Sequence, residues 1–204
     1  MFVITADQIA SRTRADITAQ TLESLEQRHG RRLSLPPDRN AGDEIQLLGT
    51  DAATMLEIVL ELTRGDAWSV GLGVGPIGHP LPAATREASG PAFYAARDAV
   101  NRAKKRSTRF AVHRQASEDT GSEIATAEEA LIDLALALRQ RRTGPGWELY
   151  DLVADGLSYK EAAERLGISA PAASSRAKAA QLSIEFDAVP ALVGLLAGID
   201  RSTQ

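Results

Sequence analysis

Short apolar runs alternate with amphipathic stretches over the first half of this chain, and this alternation constrains the fold more than any other feature. Five runs have the length and composition of strands, at residues 2–6, 33–40, 44–48, 68–74 and 109–113. Three stretches between them have helical spacing, at residues 16–28, 51–62 and 91–105. The resulting order, β-α-β-β-α-β-α-β, predicts one sheet packed against helices, with the split βαβ pattern of ferredoxin-like folds.

Local signals predict where these elements begin and end. Thr50 or Asp51 can cap the second helix, and Pro91 suits the first turn of the third. Gly30 is expected to close the first helix in a left-handed conformation. Gly42 and the residue after it form the expected tip of a hairpin. The glycines of the run WSVGLGV suit a central strand that another backbone approaches closely.

The second half of the chain has a different pattern. Residues 115–124 are polar and acidic, which predicts a linker. Residues 125–142 form a predicted helix, and its expected apolar stripe consists of Leu131, Ile132, Leu134 and Leu138. The sequence therefore predicts an α+β chain with a ferredoxin-like domain at 1–114, a linker at 115–124 and an all-α domain at 125–204.

Composition and charge narrow the function classes. The chain has 204 residues, of which 44% are hydrophobic and 25% charged, as expected of a globular protein. It has no cysteine, which excludes disulfides, a thiol nucleophile and a thiolate metal site. We find no apolar run near the roughly 18 residues of a membrane span and no secretion signal, so we expect a cytoplasmic location without membrane contact. Residues 1–114 have 15 Lys and Arg against 13 Asp and Glu, whereas residues 115–204 have 8 against 14.

Two aspartates mark a candidate metal site in the front domain. Asp7 follows the first strand and Asp43 lies at the hairpin tip, and in a ferredoxin-like sheet these strands are neighbours. Two adjacent carboxylates repel each other, and a divalent cation relieves that repulsion. Hard oxygen ligands suit Mg²⁺, which makes it the expected cofactor. The alternatives are turn chemistry for Asp43 and capping of the first helix by Asp7.

A family resemblance rests on four stretches: ITADQIASR (4–12), NAGDEIQLL (40–48), WSVGLGVGPIG (68–78) and SGPAFYAARDAV (89–100). In order and spacing they resemble the SatD family and, more distantly, the class III nucleotidyl cyclase and GGDEF superfamily. GDEIQ is similar to the GDEFQ of SatD-like proteins, and GPAFYAAR is similar to their GPAFHxAR. The resemblance covers the front domain and implies a nucleotidyl cyclase-like ferredoxin fold.

The same resemblance implies roles for individual residues. Asp7 and Asp43 stand at the metal-binding aspartates of class III cyclases, and Arg97 stands at their transition-state arginine. Arg39 replaces a base-selecting lysine, and Glu87 lies near the other base-selecting position. The resemblance therefore implies a nucleotide or phosphate ligand at Arg39, Glu87 and Arg97. Phe93 stands where active cyclases have an asparagine, and no late phosphate-binding lysine is evident, so cyclase turnover is not expected. The alternative for Arg97 is a solvated surface charge.

Residues 147–182 have the pattern of three short helices. Ser158 with Glu161 has the spacing of a capping box, and residues 167–169 form the expected tight turn. The stretch LSYKEAAERLGIS resembles the helix-turn-helix of sigma-factor region four and of LuxR-type regulators. This resemblance implies a recognition helix at 171–181 that enters the major groove. The DNA-contacting residues it implies are Ser169, Ser174, Ser175, Arg176, Lys178 and Gln181.

Two further features bear on DNA binding and assembly. The basic stretch 102–114 and the arginines at 139, 141 and 142 would add positive charge beside the acidic helical domain, although such a stretch is also typical of a solvated face. The terminal segment 186–199 is strongly apolar, with Pro190 at its start, and is expected both to pack on the helices and to pair with a second copy.

These patterns predict a DNA-binding transcriptional regulator, expected as a homodimer, whose cyclase-like domain binds a nucleotide or phosphate ligand and a metal without turnover. The first alternative is a divergent nucleotidyl cyclase or nucleotide-processing enzyme, although an enzyme is the less expected class. The second alternative is a non-catalytic adaptor, which the acidic balance of the second half favours.

Overall fold

The computed structural model describes residues 1–116, 119 and 123–202, which form an α+β protein with one six-stranded sheet and eight α-helices. The chain divides into two compact units. The sheet unit comprises Met1–Asp133 and the chain from Leu192 onward, and the helical unit comprises Leu134–Ala191. This division differs from the boundaries at 114 and 125, which stay a prediction. Much of the expected linker (residues 117, 118 and 120–122) lies outside the described residues.

The sheet unit follows the predicted order of strands and helices as far as its fifth strand. The elements are β1 (Phe2–Gln8), α1 (Thr18–His29), β2 (Leu35–Arg39), β3 (Glu44–Gly49), α2 (Ala52–Leu62), β4 (Trp68–Val74), α3 (Pro91–Ala103), β5 (Phe110–Arg114), β6 (Glu123–Ile124) and α4 (Thr126–Gln140). Two 3-10 turns, Gly30–Arg32 and Thr85–Glu87, complete it. The short strand β6 falls in the segment for which the sequence indicated a linker.

The sheet has the strand order β2-β3-β1-β4-β5-β6. β1 is antiparallel to both of its neighbours, β3 and β4, whereas β4 and β5 run parallel. A parallel pair needs a crossover connection, which α3 supplies. β1 is therefore central, and its buried residues are flanked by hydrogen-bonded strands on both sides.

α3 packs closely on one face of the sheet because β4 has glycines, without side chains, at Gly71 and Gly73. A Cβ added at Gly73 would lie 2.1 Å from the carbonyl oxygen of Ala92, and one at Gly71 would lie 2.2 Å from the backbone nitrogen of Val100. The pairing register places residues 3, 5 and 7 of β1 and residues 44, 46 and 48 of β3 on this same face. α2 packs against β1, β3 and β4, and a Cβ at Gly49 would meet the Met55 sulfur at 2.8 Å.

The predicted start of α2 is confirmed, whereas the predicted end of α1 is wrong. Asp51 caps α2, because its side chain accepts a hydrogen bond from the Thr54 backbone N–H. Gly30 does not close α1 in a left-handed conformation; its φ of −51° is right-handed and the chain continues into a 3-10 turn. The expectation was wrong there because 3-10 turns commonly finish an α-helix without any positive φ.

The helical unit contains α5 (Gly144–Ala154), α6 (Tyr159–Leu166), α7 (Ala170–Ala179) and the first part of α8 (Leu182–Ser202). The capping box of Ser158 and Glu161 is confirmed, and Gly167 ends α6 in a left-handed conformation with φ of 65°. Small side chains let the helices approach closely. The buried core consists of Leu149, Ala162, Ala163, Ala173, Ala177, Ala180 and Leu182.

The apolar stripe of α4 differs in part from the prediction, because Ile132 is buried as expected but Leu131 and Leu134 are exposed. Ile132 is 1% exposed and Leu136 is 2% exposed, whereas Leu131 and Leu134 are 43% and 68% exposed. The inward face is instead rich in charge, since Glu129 is buried there among arginine partners. The helix therefore buries Ile132 and Leu136 together with charged groups, and it exposes Leu131 and Leu134.

α8 is one continuous helix, and Pro190 lies inside it and not at its start. Among the described helices it alone is long and apolar enough to cross a membrane by length and composition, with a mean hydropathy of 1.7. The sequence reading had found no such run. Asp200 in this helix is ion-paired to the N-terminal ammonium, and Leu192 and Leu196 are buried. These contacts tie the end of α8 to the sheet unit, and length and composition alone are weak evidence for a membrane span.

Candidate functional site

The first candidate site lies where β1 ends and β3 begins, on the face covered by α3. Asp7 lies directly opposite Glu44 in the antiparallel pairing of β1 with β3. Asp43 precedes Glu44 in the turn, and its carbonyl oxygen accepts a hydrogen bond from the Gln8 backbone N–H at 3.2 Å. The backbones that carry the two predicted metal ligands are therefore neighbours, and Glu44 shares the face of Asp7.

Both carboxylates on this face are bonded to cations from the α3 region. Arg97 on α3 binds Glu44 with two hydrogen bonds, of 2.6 and 2.8 Å, and the Glu44 side chain is only 6% exposed. Lys104, the C-cap residue of α3, places its Nζ 2.8 Å from Asp7. The sequence reading identified Asp7 and Arg97 but missed Glu44 and Lys104.

Polar side chains continue from this pair beneath α3. Thr5, Gln46 and Ser69 are all buried on strands β1, β3 and β4. Among the residues that the structure describes, the buried hydroxyl of Thr5 has no hydrogen-bond partner. Buried polar atoms are normally bonded, so this hydroxyl is an unmet hydrogen-bonding group two residues from Asp7.

The residues suit Mg²⁺ in donor type. Asp7 and the hairpin offer hard oxygen atoms at one sheet edge, and Mg²⁺ commonly takes one or two carboxylates together with water and phosphate oxygens. Within the described part of the chain, no group of three or more His, Cys, Asp or Glu side chains is arranged around a metal position. Mg²⁺ would have to share Asp7 with Lys104. The metal role of Asp7 and Asp43 stays a prediction.

Arg39 and Glu87 lie on neighbouring elements at the β2 edge. Arg39 is ion-paired to Asp16 at 2.7 Å. The pKa of Asp16 is lowered to about 2, chiefly by Thr18, whose backbone N–H donates a hydrogen bond to the Asp16 carboxylate at 2.9 Å, with a smaller contribution from Arg39. Glu87 is exposed at the end of the 3-10 turn that packs against β2. The predicted base-selecting roles of both residues stay predictions.

Phe93 has a packing role. It is 8% exposed and belongs to an apolar cluster with Val3, Leu48 and Ile77. A buried phenyl ring offers no hydrogen-bond donor at the position where active cyclases have an amide. Arg97 is therefore engaged with Glu44 on this face, and Phe93 contributes no hydrogen-bonding group.

The basic stretch 102–114 is largely neutralised within the sheet unit. Arg102 and Arg106 bind Glu129, and Arg106 also binds Asp133. Burial lowers the pKa of His113, and the neighbouring Arg102 guanidinium lowers it further. The expectation that this stretch adds open positive charge for DNA was wrong for these arginines, because acidic residues of α4 pair with them.

The second candidate site is the surface of α7 in the helical unit. Ser174, Ser175 and Lys178 are exposed on it. Ser169 caps the helix, since its hydroxyl accepts a hydrogen bond from the Ala172 N–H at 3.3 Å. Arg176 is half-buried and lies 3.6 Å from Glu148.

Gln181 lies two residues beyond the end of α7, partly exposed, with a left-handed φ of 56°. It is therefore placed in the turn between α7 and α8, not on the recognition helix itself. Its predicted contact with DNA stays a prediction, as do those of the α7 residues.

Two of the arginines expected near DNA are in the interior of the helical unit. The side chains of Arg139 and Arg142 are 5% and 0% exposed, and both bind the buried carboxylate of Glu185. Their guanidinium groups also lie over the ring of Trp147, at 4.7 and 4.4 Å from its centroid. The expectation of a DNA-facing charge was wrong for these two residues, whereas Arg141 is exposed.

No protein-family model, curated protein or solved structure matches this chain. The resemblances drawn from its motifs therefore stay predictions.

Proposed function

We propose that this protein is a DNA-binding transcriptional regulator whose sheet unit binds a nucleotide or another phosphate-bearing ligand. The observation that carries the DNA-binding part is the α6–α7 helix pair with a positively charged outer helix. α7 contains Arg176 and Lys178 and no acidic residue, although seven basic residues of the helical unit are balanced by seven acidic ones. This local excess is what phosphate contacts require.

The packing of the three helices supports a helix-turn-helix arrangement. α6 ends at a left-handed glycine, and α7 begins three residues later at its Ser169 cap. Alanines on both helices form the core with α5, so the two helices approach closely. In such an arrangement the second helix enters the major groove. Its serines make few base contacts, so we expect modest specificity.

The strand order supports a ferredoxin-like, cyclase-like sheet. In the segment β1 to β4 the order is β2-β3-β1-β4 with antiparallel neighbours, and two helices connect the strands. This order supports the split βαβ arrangement proposed from the sequence. Arg97, Arg39 and Glu87 are the proposed ligand contacts, and Mg²⁺ at Asp7 and Asp43 belongs to the ligand-bound state. Mg²⁺ there would neutralise phosphate charge, while Arg97 orients the ligand.

Phe93 favours a binding domain over an enzyme. The ring is part of an apolar cluster, so the polar group that class III cyclases use at this position is missing. A divergent cyclase is therefore the less favoured function. We propose a two-fold dimer in the cytoplasm, since dimers match paired DNA half-sites.

A gel-shift assay with genomic fragments at low salt tests the DNA-binding part. We expect the intact protein to retain DNA, with Lys178→Ala weakening binding to all fragments and lowering the salt slope by about 1. Lys105→Ala removes an exposed lysine of the sheet unit and is the matched control. No retention by the wild-type protein would contradict the proposal and favour the adaptor, whereas an equal loss in both variants would contradict the assignment of the DNA contacts to α7. Calorimetry of the intact protein with ATP or GTP and Mg²⁺ tests the ligand-binding part. A titration that shows no binding would remove the proposed nucleotide-binding role of the sheet unit.

A further inference from the structure

Lys104 is held at Asp7 by the packing of α3. The residue caps the helix, and its backbone N–H donates to the carbonyl of Val100 at 3.1 Å. The glycines of β4 fix that helix within van der Waals contact of the sheet. Lys104 is 39% exposed and Asp7 24% exposed, so the 2.8 Å ion pair sits at the rim of the sheet and is open to solvent.

The two carboxylates on this face are bonded in different ways. Glu44 is buried, and both of its carboxylate oxygens accept hydrogen bonds from the planar guanidinium of Arg97, which makes this pair the more rigid of the two. Asp7 is bonded to an ammonium, a compact charge on a flexible stem that can move away. Asp7 is therefore the carboxylate that can exchange its cation.

We propose that Lys104 is a built-in competitor of the divalent cation at Asp7. This inference rests on the proposed metal role of Asp7. An ammonium and a divalent ion cannot bind one carboxylate oxygen together, and each repels the other at this distance. Metal binding therefore requires release of Lys104, which raises the concentration of divalent ion needed to load the site. The hydroxyl of Thr5, two residues from Asp7, is a further buried polar group on this face that has no hydrogen-bond partner among the described residues.

Mn²⁺ titration of the full-length chain, followed by the electron paramagnetic resonance signal of the free ion, tests this inference. Lys104→Gln removes the competing charge and is expected to bind Mn²⁺ roughly tenfold more tightly than the wild type. Lys105→Gln removes the same charge from the next residue, which is exposed, and is expected to stay within about twofold. The double variant with Asp7→Asn and Lys104→Gln is expected to lose the gain. Circular dichroism shows whether each variant is folded.

Each outcome decides the inference. Equal Mn²⁺ binding by the wild type and Lys104→Gln, including no binding by either, overturns it, and so does a gain that survives loss of the Asp7 carboxylate. A gain in Lys104→Gln without any nucleotide binding would support the competition and remove the proposed ligand function. Nucleotide and Mg²⁺ binding by the wild type without a gain in Lys104→Gln would leave the ligand function standing and remove the competition.

Discussion

The most unusual residues are the ions buried in the helical unit. Glu185 is 2% exposed, and it is shared by two arginines of which one is fully buried. Moving charges out of water costs several kcal/mol for each ion, and only close pairing offsets it. The rings of Trp147 and Tyr150 beside both guanidinium groups give the excess positive charge a further partner.

Replacement of Glu185 by Gln should strongly destabilise the helical unit. The amide keeps the size of the side chain, but it removes the negative charge that both buried guanidinium groups bind. We expect a loss of about 3–5 kcal/mol in the free energy of unfolding, measured by urea denaturation of the full chain. Glu148→Gln is the control: its side chain is 62% exposed and it lies 3.6 Å from Arg176, so the change should be under about 1 kcal/mol. Equal effects of the two substitutions would show that the buried pair contributes nothing special.

At the residue scale the sequence predicts what depends on near neighbours in the chain. The Asp51 cap and the Ser158–Glu161 box each involve residues three apart, so their spacing alone identifies them. The bond from Arg97 to Glu44 joins residues 53 apart. It depends on strand register and on the crossover of α3, neither of which can be read from local spacing. For the same reason, local spacing did not indicate the contact between Lys104 and Asp7.

At the element scale, α3 and β4 form the tightest contact of the sheet unit. Gly71 and Gly73 leave room for the backbone of the helix, and the helix presents Ala92, Ala96 and Ala99 to the sheet. The helix and the strand bury apolar surface here through glycine and alanine residues, whose small size lets the two backbones approach closely. The site depends on this contact, because Arg97 and Lys104 are carried by the same helix.

Gly73→Ala should therefore weaken the sheet unit. The added Cβ would lie 2.1 Å from one backbone oxygen and 2.3 Å from a backbone nitrogen, and backbone atoms cannot rotate away. Overpacking of this kind typically costs about 1–3 kcal/mol, which thermal unfolding should report as a lower melting temperature. The control is Gly65→Ala, where no heavy atom lies within 4 Å of the added Cβ. A melting temperature unchanged by Gly73→Ala would mean that α3 can shift without cost.

Strand and helix positions were predictable from the sequence, but the orientation of α4 was not. The glycines of β4 correctly indicated a strand approached by another backbone. For α4, leucine spacing alone favoured the wrong face. The acidic residues Glu129 and Asp133 face inward because they form ion pairs with Arg102 and Arg106. Those arginines come from a different part of the chain. A helix whose inward face is ionic defeats a prediction based on hydrophobic periodicity.

At the scale of the whole molecule, the charge distribution argues for localised functions. Net charge is −4, so general attraction to nucleic acid is weak and any DNA affinity must come from a local surface. Internal ion pairs neutralise most cations of the stretch 102–114. They also neutralise two of the three arginines that follow Leu138. The positive charge that remains on α7 is small, so a single copy of the protein would bind DNA weakly. Two copies on two half-sites would multiply that affinity.

The exposed leucines of α4 give the dimer a testable interface. Leu134 is 68% exposed, with Leu131 one turn earlier on the same stripe. In an antiparallel pair of α4 helices centred near Leu134, Glu128 of one copy meets the exposed Arg141 of the other, which is the complementarity a two-fold interface requires. Leu134→Glu should therefore convert the protein to a monomer, measured by light scattering after size-exclusion chromatography. Leu195→Glu, on α8 at 36% exposure, tests the terminal segment that the sequence favoured for pairing. A monomer produced only by the Leu195 substitution would place the interface on α8, and a wild-type monomer would leave α7 to bind DNA as a single weak module.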